Sequence, residues 1–69
     1  MIEDITDNML LDGYHGIWYS FIDNMDTYRV QYIGEDRRIY KVENEFQTEI
    51  FDETIDKLLD MQILGVKHE

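Results

Sequence analysis

Asp52, Asp56 and Asp60 recur every four residues, with Glu53 beside the first of them. On a helix this spacing sets three carboxylates along one edge, each separated by about 6 Å of axial rise. Like charges so placed destabilise an isolated helix by a few tenths of a kcal/mol per pair. Residues 43–60 carry Glu43, Glu45, Glu49, Asp52, Glu53, Asp56 and Asp60 against the single cation Lys57. A sequence tuned for stability alone would alternate signs here. The chemistry such a row offers is electrostatic. Its spacing is comparable to that of phosphates along a nucleic-acid strand, so it suits a basic groove. The plainer reading is a solvated helix face, with Asp56 and Asp60 turned to water.

A second acidic block, Glu3, Asp4, Asp7 and Asp12, lies in residues 1–12 with no base among them. Between the blocks, residues 27–42 hold Arg29, Arg37, Arg38 and Lys41 against Glu35 and Asp36. These cations either pair with the acidic blocks or mark a different face. The 69 residues hold 6 Lys and Arg against 16 Asp and Glu, a formal net charge of −10. That balance repels duplex DNA, RNA and anionic membrane surfaces. Five Tyr, three Phe and one Trp supply more apolar mass than a disordered acidic tail carries.

Other chemistry finds little footing. His15 and His68 are the two histidines, and they form no pair at metal-ligand spacing. Asp23-Asn24-Met25-Asp26 lacks the alternating ligands, central glycine and distal Glu of a calcium loop. The isolated glycines cradle no phosphate. Ser20 is the only serine and lies mid-strand, away from any histidine elbow. A carboxylate pair such as Glu49 and Glu53 suggests glycoside hydrolysis only where a closed cleft exists, and a domain this small seldom provides one. The expectation is therefore no enzyme, no metal and no cofactor.

The elements that must position the charges read as one α+β domain, residues 1–69. Ile2, Ile5 and Met9 recur at helical spacing, which predicts a short helix over Ile2 to Leu11, stopped by Gly13. Alternating residues predict strands over Ile17 to Asp23, Thr27 to Ile33 and Arg38 to Val42, with a fourth short strand over Phe46 to Ile50. Asn24-Met25-Asp26, Gly34-Glu35-Asp36 and Glu43-Asn44-Glu45 read as the turns of a meander. Asp52 is a suitable N-cap for a C-terminal helix, whose inner face is Ile55, Leu58, Leu59 and Gln62. Gly65 stands where a C-cap belongs, with Val66 packing back on Met61. The expected architecture is a three- or four-stranded antiparallel meander with a short N-terminal helix and a C-terminal helix packed on one face. The other face, bearing Trp18 or the tyrosines, is then open or covered by a second subunit. Trp and Tyr are favoured interface anchors, so an aromatic sheet face is the alternative working surface.

No cysteine is present, so no disulfide staples the fold. Small folds without staples often gain stability by forming oligomers, and a homodimer is one option. The acidic N-terminus does not read as a signal peptide, and no apolar run approaches the ~20 residues that span a bilayer. A soluble, cytoplasmic protein is expected.

Small size, low pI, no cysteine and carboxylates in rows together resemble the phage-encoded DNA-mimic inhibitors. The resemblance is one of type, carried by residues 3–12 and 43–60. It implies a basic DNA-binding host protein as partner, such as a nucleoid or histone-like protein or a DNA-processing enzyme. The contact residues would be Glu43, Glu45, Glu49, Asp52, Glu53, Asp56 and Asp60, joined by Glu3, Asp4, Asp7 and Asp12. The basic 27–42 region departs from a uniformly acidic mimic.

Overall fold

The computed structural model describes residues 2–67, with side chains through Gln62. The chain runs β1 (Ile2–Asp4), α1 (Thr6–Leu11), β2 (Ile17–Asp23), β3 (Asp26–Ile33), β4 (Asp36–Glu43), β5 (Phe46–Ile50) and α2 (Glu53–Lys67). The strands form one antiparallel sheet in chain order. The architecture is thus the expected α+β antiparallel meander with a short N-terminal and a C-terminal helix, but with five strands.

The additional strand is β1. The spacing of Ile2, Ile5 and Met9 suggested helix from Ile2, but the first residues pair with β2, Ile2 opposite Phe21 and Asp4 opposite Tyr19. A three-residue strand is too short to show a period of two, so tertiary pairing decides it. Ile5 N–H continues the pairing to the Trp18 carbonyl at 2.9 Å. Thr6 Oγ1 accepts from Trp18 N–H at 3.0 Å. The helix begins only there, and the Asp4 carboxylate accepts the Thr6 N–H at 2.9 Å. Gly13 follows the last turn with φ +93°, as the stop signal required.

The three hairpin turns are each two residues, one shorter than the polar triplets suggested. Asn24 and Met25, and again Asn44 and Glu45, have positive φ at both central positions, the type I′ pattern. In the middle turn Gly34 alone has positive φ, which matches type II′. These turns suit the right-handed twist of paired strands.

Alternation then sorts side chains onto two faces. The front face carries Tyr19, Phe21, Tyr28, Val30, Tyr32 and Ile39, and α2 covers it with Ile55 and Leu59. Phe21, Val30 and Leu59 are fully buried. Each such side chain contributes roughly 1.5–3 kcal/mol on leaving water. The Asp52 carboxylate caps α2, accepting from Thr54 N–H at 2.9 Å and Ile55 N–H at 3.3 Å. The helix continues through Gly65 to Lys67, so Gly65 is not its stop. The suggested packing of Val66 on Met61, and His68, lie outside the described residues. Helix residues in the front cluster come from α2; the buried Met9 of α1 is not part of it.

The back face does not expose Trp18. Its ring is fully buried, edge-on to Tyr14 and stacked on Tyr40, with centroids 5.4 Å away in each case. The His15 carbonyl accepts from both Trp18 Nε1–H and Gln31 Nε2–H at 2.8 Å. Tyr40 O–H donates to Gln31 Oε1 at 3.3 Å. The buried Gln31 amide thereby has a partner at each end. Gly16, at φ +89°, lets the entering chain lie against β3: a Cβ there would stand 2.5 Å from the Tyr32 carbonyl oxygen. The expectation that Trp18 lies on an open face is corrected: the chain's own 14–16 segment and Tyr40 occupy it. Among the described residues, no helix is long and apolar enough to cross a membrane.

Candidate functional site

The two-residue turns fix which charges meet. Asp23 lies directly opposite Asp26 across the first hairpin. Thr27 faces Val42, which brings Glu43 alongside Asp26. Three carboxylates therefore stand side by side on the front of neighbouring strands, with strand spacing near 4.8 Å. Lys41, two residues along β4, reaches toward two of them, 3.9 Å from Asp26 and 3.8 Å from Glu43. Glu45 sits exposed in the adjacent β4–β5 turn. Asp23 and Asp26 were absent from the sequence-level site. The signal that could have revealed them is the two-residue turn, which forces residues 23 and 26 to face each other.

Tyr28 connects this row to the helix. Its ring is buried against Phe21, with centroids 5.3 Å apart. Burial chiefly raises its hydroxyl pKa, and the charge of Asp26 adds to the effect. Lys41 opposes it, while Asp23 and Asp52 push the same way. The first carboxylate of the helix row thus acts on the same hydroxyl as two carboxylates of the sheet row.

The rest of the helix row is partly neutralised. Arg37 on β4 forms a fork beneath α2, with Nη2 2.6 Å from Asp56 Oδ1 and Nη1 2.6 Å from Asp60 Oδ1. Nη2 also donates to the Asp56 carbonyl at 3.3 Å. The Arg37 side chain is only 21% exposed, whereas both acids are about half exposed. Burial alone would lower the Arg37 pKa, but bonding to Tyr32, Asp60 and Asp56 outweighs it and holds the guanidinium more basic than usual. Asp56 and Asp60 consequently do more than face water. They fasten α2 to β4, and with Arg37 the trio remains net negative.

Of the other basic-strand cations, Arg29 is also bonded within the fold, while Arg38 is exposed. Arg29 Nη1 donates to Gln47 Oε1 at 2.9 Å. Arg37 and Arg38 line the hollow between β4, β5 and the start of α2, together with Glu49, Glu53 and Asp56. Of the two sequence-level options for the basic strands, Arg37 and Lys41 take internal pairing.

The remaining predicted contact residues divide. Glu43 and Glu45 belong with the sheet-end acids, whereas Asp52 and Glu53 stand at the start of α2, in the hollow with Arg37 and Arg38 beyond the other end of β5. Glu49 lies opposite Tyr40 and Glu3 opposite Ser20, both on the back face. Asp7 sits in α1 and Asp12 caps its end. Hydrogen bonds from Thr6 keep the Asp4 carboxyl below its ordinary pKa. The single acidic surface suggested by the sequence is therefore divided by the fold, its most concentrated part at the sheet end. Among the described residues, no three His, Asp or Glu side chains converge to hold a metal ion.

Comparison with known proteins gives no relative: no family model, curated protein or solved structure matches the chain.

Proposed function

We propose that this protein is a non-enzymatic, acidic inhibitor that occupies the DNA-binding surface of a basic protein in the cytoplasm, acting as a DNA mimic. The observation that carries this reading is the carboxylate row Asp23–Asp26–Glu43, side by side on the front of neighbouring strands, with the α2 acids as a second row. Carboxylates about 5–6 Å apart along a strand rung and a helix edge present negative charge at a spacing that a phosphate-binding groove accepts. Pairing of Lys41 and Arg37 within the fold leaves each cation outnumbered by two acids. The burial of Trp18 removes the strongest anchor from the alternative aromatic surface.

The test uses a heparin-retained fraction of basic cellular proteins as the probe. Immobilised protein should capture members of that fraction at low salt. A short duplex DNA, added at constant ionic strength, should release them by competing for the same groove. Capture that resists the duplex, or no capture at all, rejects the reading. Binding should also decline steeply with salt, chiefly through slower association.

A further inference from the structure

We propose that β5 is a dimerisation edge, at which a second copy of this chain adds its own β5 antiparallel to form a continuous ten-stranded sheet. This inference rests on sheet geometry and stands independently of the proposed function. β5 is an outer strand of the sheet, paired on one side only, with β4. Of the usual protections of such an edge it carries only one charge, Glu49: it has no proline and no lysine, and its pairing with β4 runs without a bulge from Phe46 to Ile50. The opposite edge, β1, is only three residues long. Exposed aromatic rings flank β5, with Phe46 76% and Phe51 92% exposed.

The sequence of β5 is self-complementary about its centre. A two-fold axis perpendicular to the sheet preserves faces, so it must pass through a residue. Centred on Thr48, it sets Thr48 opposite the partner's Thr48 and Phe46 opposite the partner's Ile50. Gln47 then faces the partner's Glu49, and no acid faces an acid. An axis through Gln47 would oppose Glu45 and the partner's Glu49, and one through Glu49 would oppose two copies of that residue. Like charges directly opposed are unfavourable, so the Thr48 register is selected.

Backbone geometry agrees. Glu43 and Phe46 flank a two-residue turn, which makes them a hydrogen-bonded pair. Alternation then directs the N–H and C=O groups of Phe46, Thr48 and Ile50 inward and those of Gln47 and Glu49 outward. In the Thr48 register those outward groups pair with one another across the two-fold axis. Charge agrees as well. Arg29 already donates to Gln47 Oε1 at 2.9 Å, so the partner's Glu49 arrives beside a guanidinium.

The test is sedimentation equilibrium of the full chain at about 0.1 M and about 0.5 M salt. Each copy carries −10, so screening should strengthen the dimer. Gln47→Glu should raise the dissociation constant about tenfold, since it places an acid opposite the partner's Glu49 at two symmetric positions. The new carboxylate still accepts from Arg29, and near-ultraviolet circular dichroism of Trp18 reports the fold. The double variant Gln47→Glu, Glu49→Gln returns each pair to one acid and should recover the dimer. Independently of any variant, amide exchange at Gln47 and Glu49 in the wild-type protein should slow as concentration rises. A chain that stays monomeric at both salts overturns the proposal. So does a dimer indifferent to Gln47→Glu, a natively folded double variant that fails to recover, or unchanged exchange at those two amides.

Discussion

Asp23 and Asp26 face each other across the first hairpin, two carboxylates on one rung of the sheet. Directly opposed like charges cost stability, and Lys41 lies within 4 Å of Asp26 but forms no ion pair with Asp23. Asp23→Asn should therefore raise unfolding free energy by roughly 0.2–0.5 kcal/mol at low salt. Urea denaturation at low and high salt checks this, because screening should erase the gain. The same variant should weaken binding to a basic partner. A more stable variant with undiminished binding would remove this row from the site.

Arg37 makes the opposite case. The double change Asp56→Asn plus Asp60→Asn relieves repulsion along the helix, which by itself favours folding. It also strips both carboxylates from a guanidinium that is mostly covered. The second effect is the larger, and the double variant should lose about 1 kcal/mol. Arg37→Met should lose a similar amount. Combining all three changes should cost less than the sum of the separate losses, since they break one shared contact. Additive losses in such a cycle would mean the fork contributes nothing.

Met25 sits at φ +68°, a conformation that favours glycine, and its side chain is 96% exposed. Met25→Gly should stabilise the protein by about 1 kcal/mol, because it removes backbone strain and sacrifices almost no packing. Thermal and urea denaturation both report it. The greater freedom of glycine in the unfolded chain limits the gain, so an unchanged midpoint would show that the turn is not strained in solution.

Tyr28 ties stability to alkaline pH. Its folded pKa lies above the ordinary tyrosine value, so the native state holds this proton more tightly than the unfolded chain does. The associated stability is whole below about pH 10 and declines as pH rises through the folded value. Unfolding free energies at about pH 9 and about pH 11 should show the loss. Ultraviolet titration compared with a Tyr28→Phe variant should show that Tyr28 ionises late. High salt should return it only partway, because burial is the larger cause and the carboxylates the smaller.

Much of the fold was legible. Tyr28, Val30 and Tyr32 alternate with polar neighbours and share a sheet face as their spacing implies. Asp52 announced the start of α2 because a capping carboxylate acts over three residues. β1 was hidden because Ile2, Ile5 and Met9 imitate a helix and three paired residues are too few to reveal alternation. The burial of Trp18 was hidden for another reason. Both faces of β2 are apolar, and only the approach of Gly16 to Tyr32 shows that the chain folds over its own tryptophan. For the site, the helix row was visible as a four-residue repeat. Its neutralisation by Arg37 was not, since that contact joins residues about twenty positions apart in the chain. The sheet row depended on turns being two residues rather than three.

The uninterrupted strand order has a kinetic consequence. From β2 to β5 each strand pairs with the next across a two-residue turn, so no long loop must close before a contact is gained. Such local topology favours fast assembly, hairpin after hairpin. During synthesis β2, β3 and β4 emerge before Ile55 and Leu59, the helix residues that cover Phe21 and Val30. The growing sheet therefore shows water its apolar front until the last quarter of the chain arrives. Like charge at the hairpin ends, Asp23 and Asp26 on one rung and Glu43 beside them, opposes close approach of two such uncovered sheets.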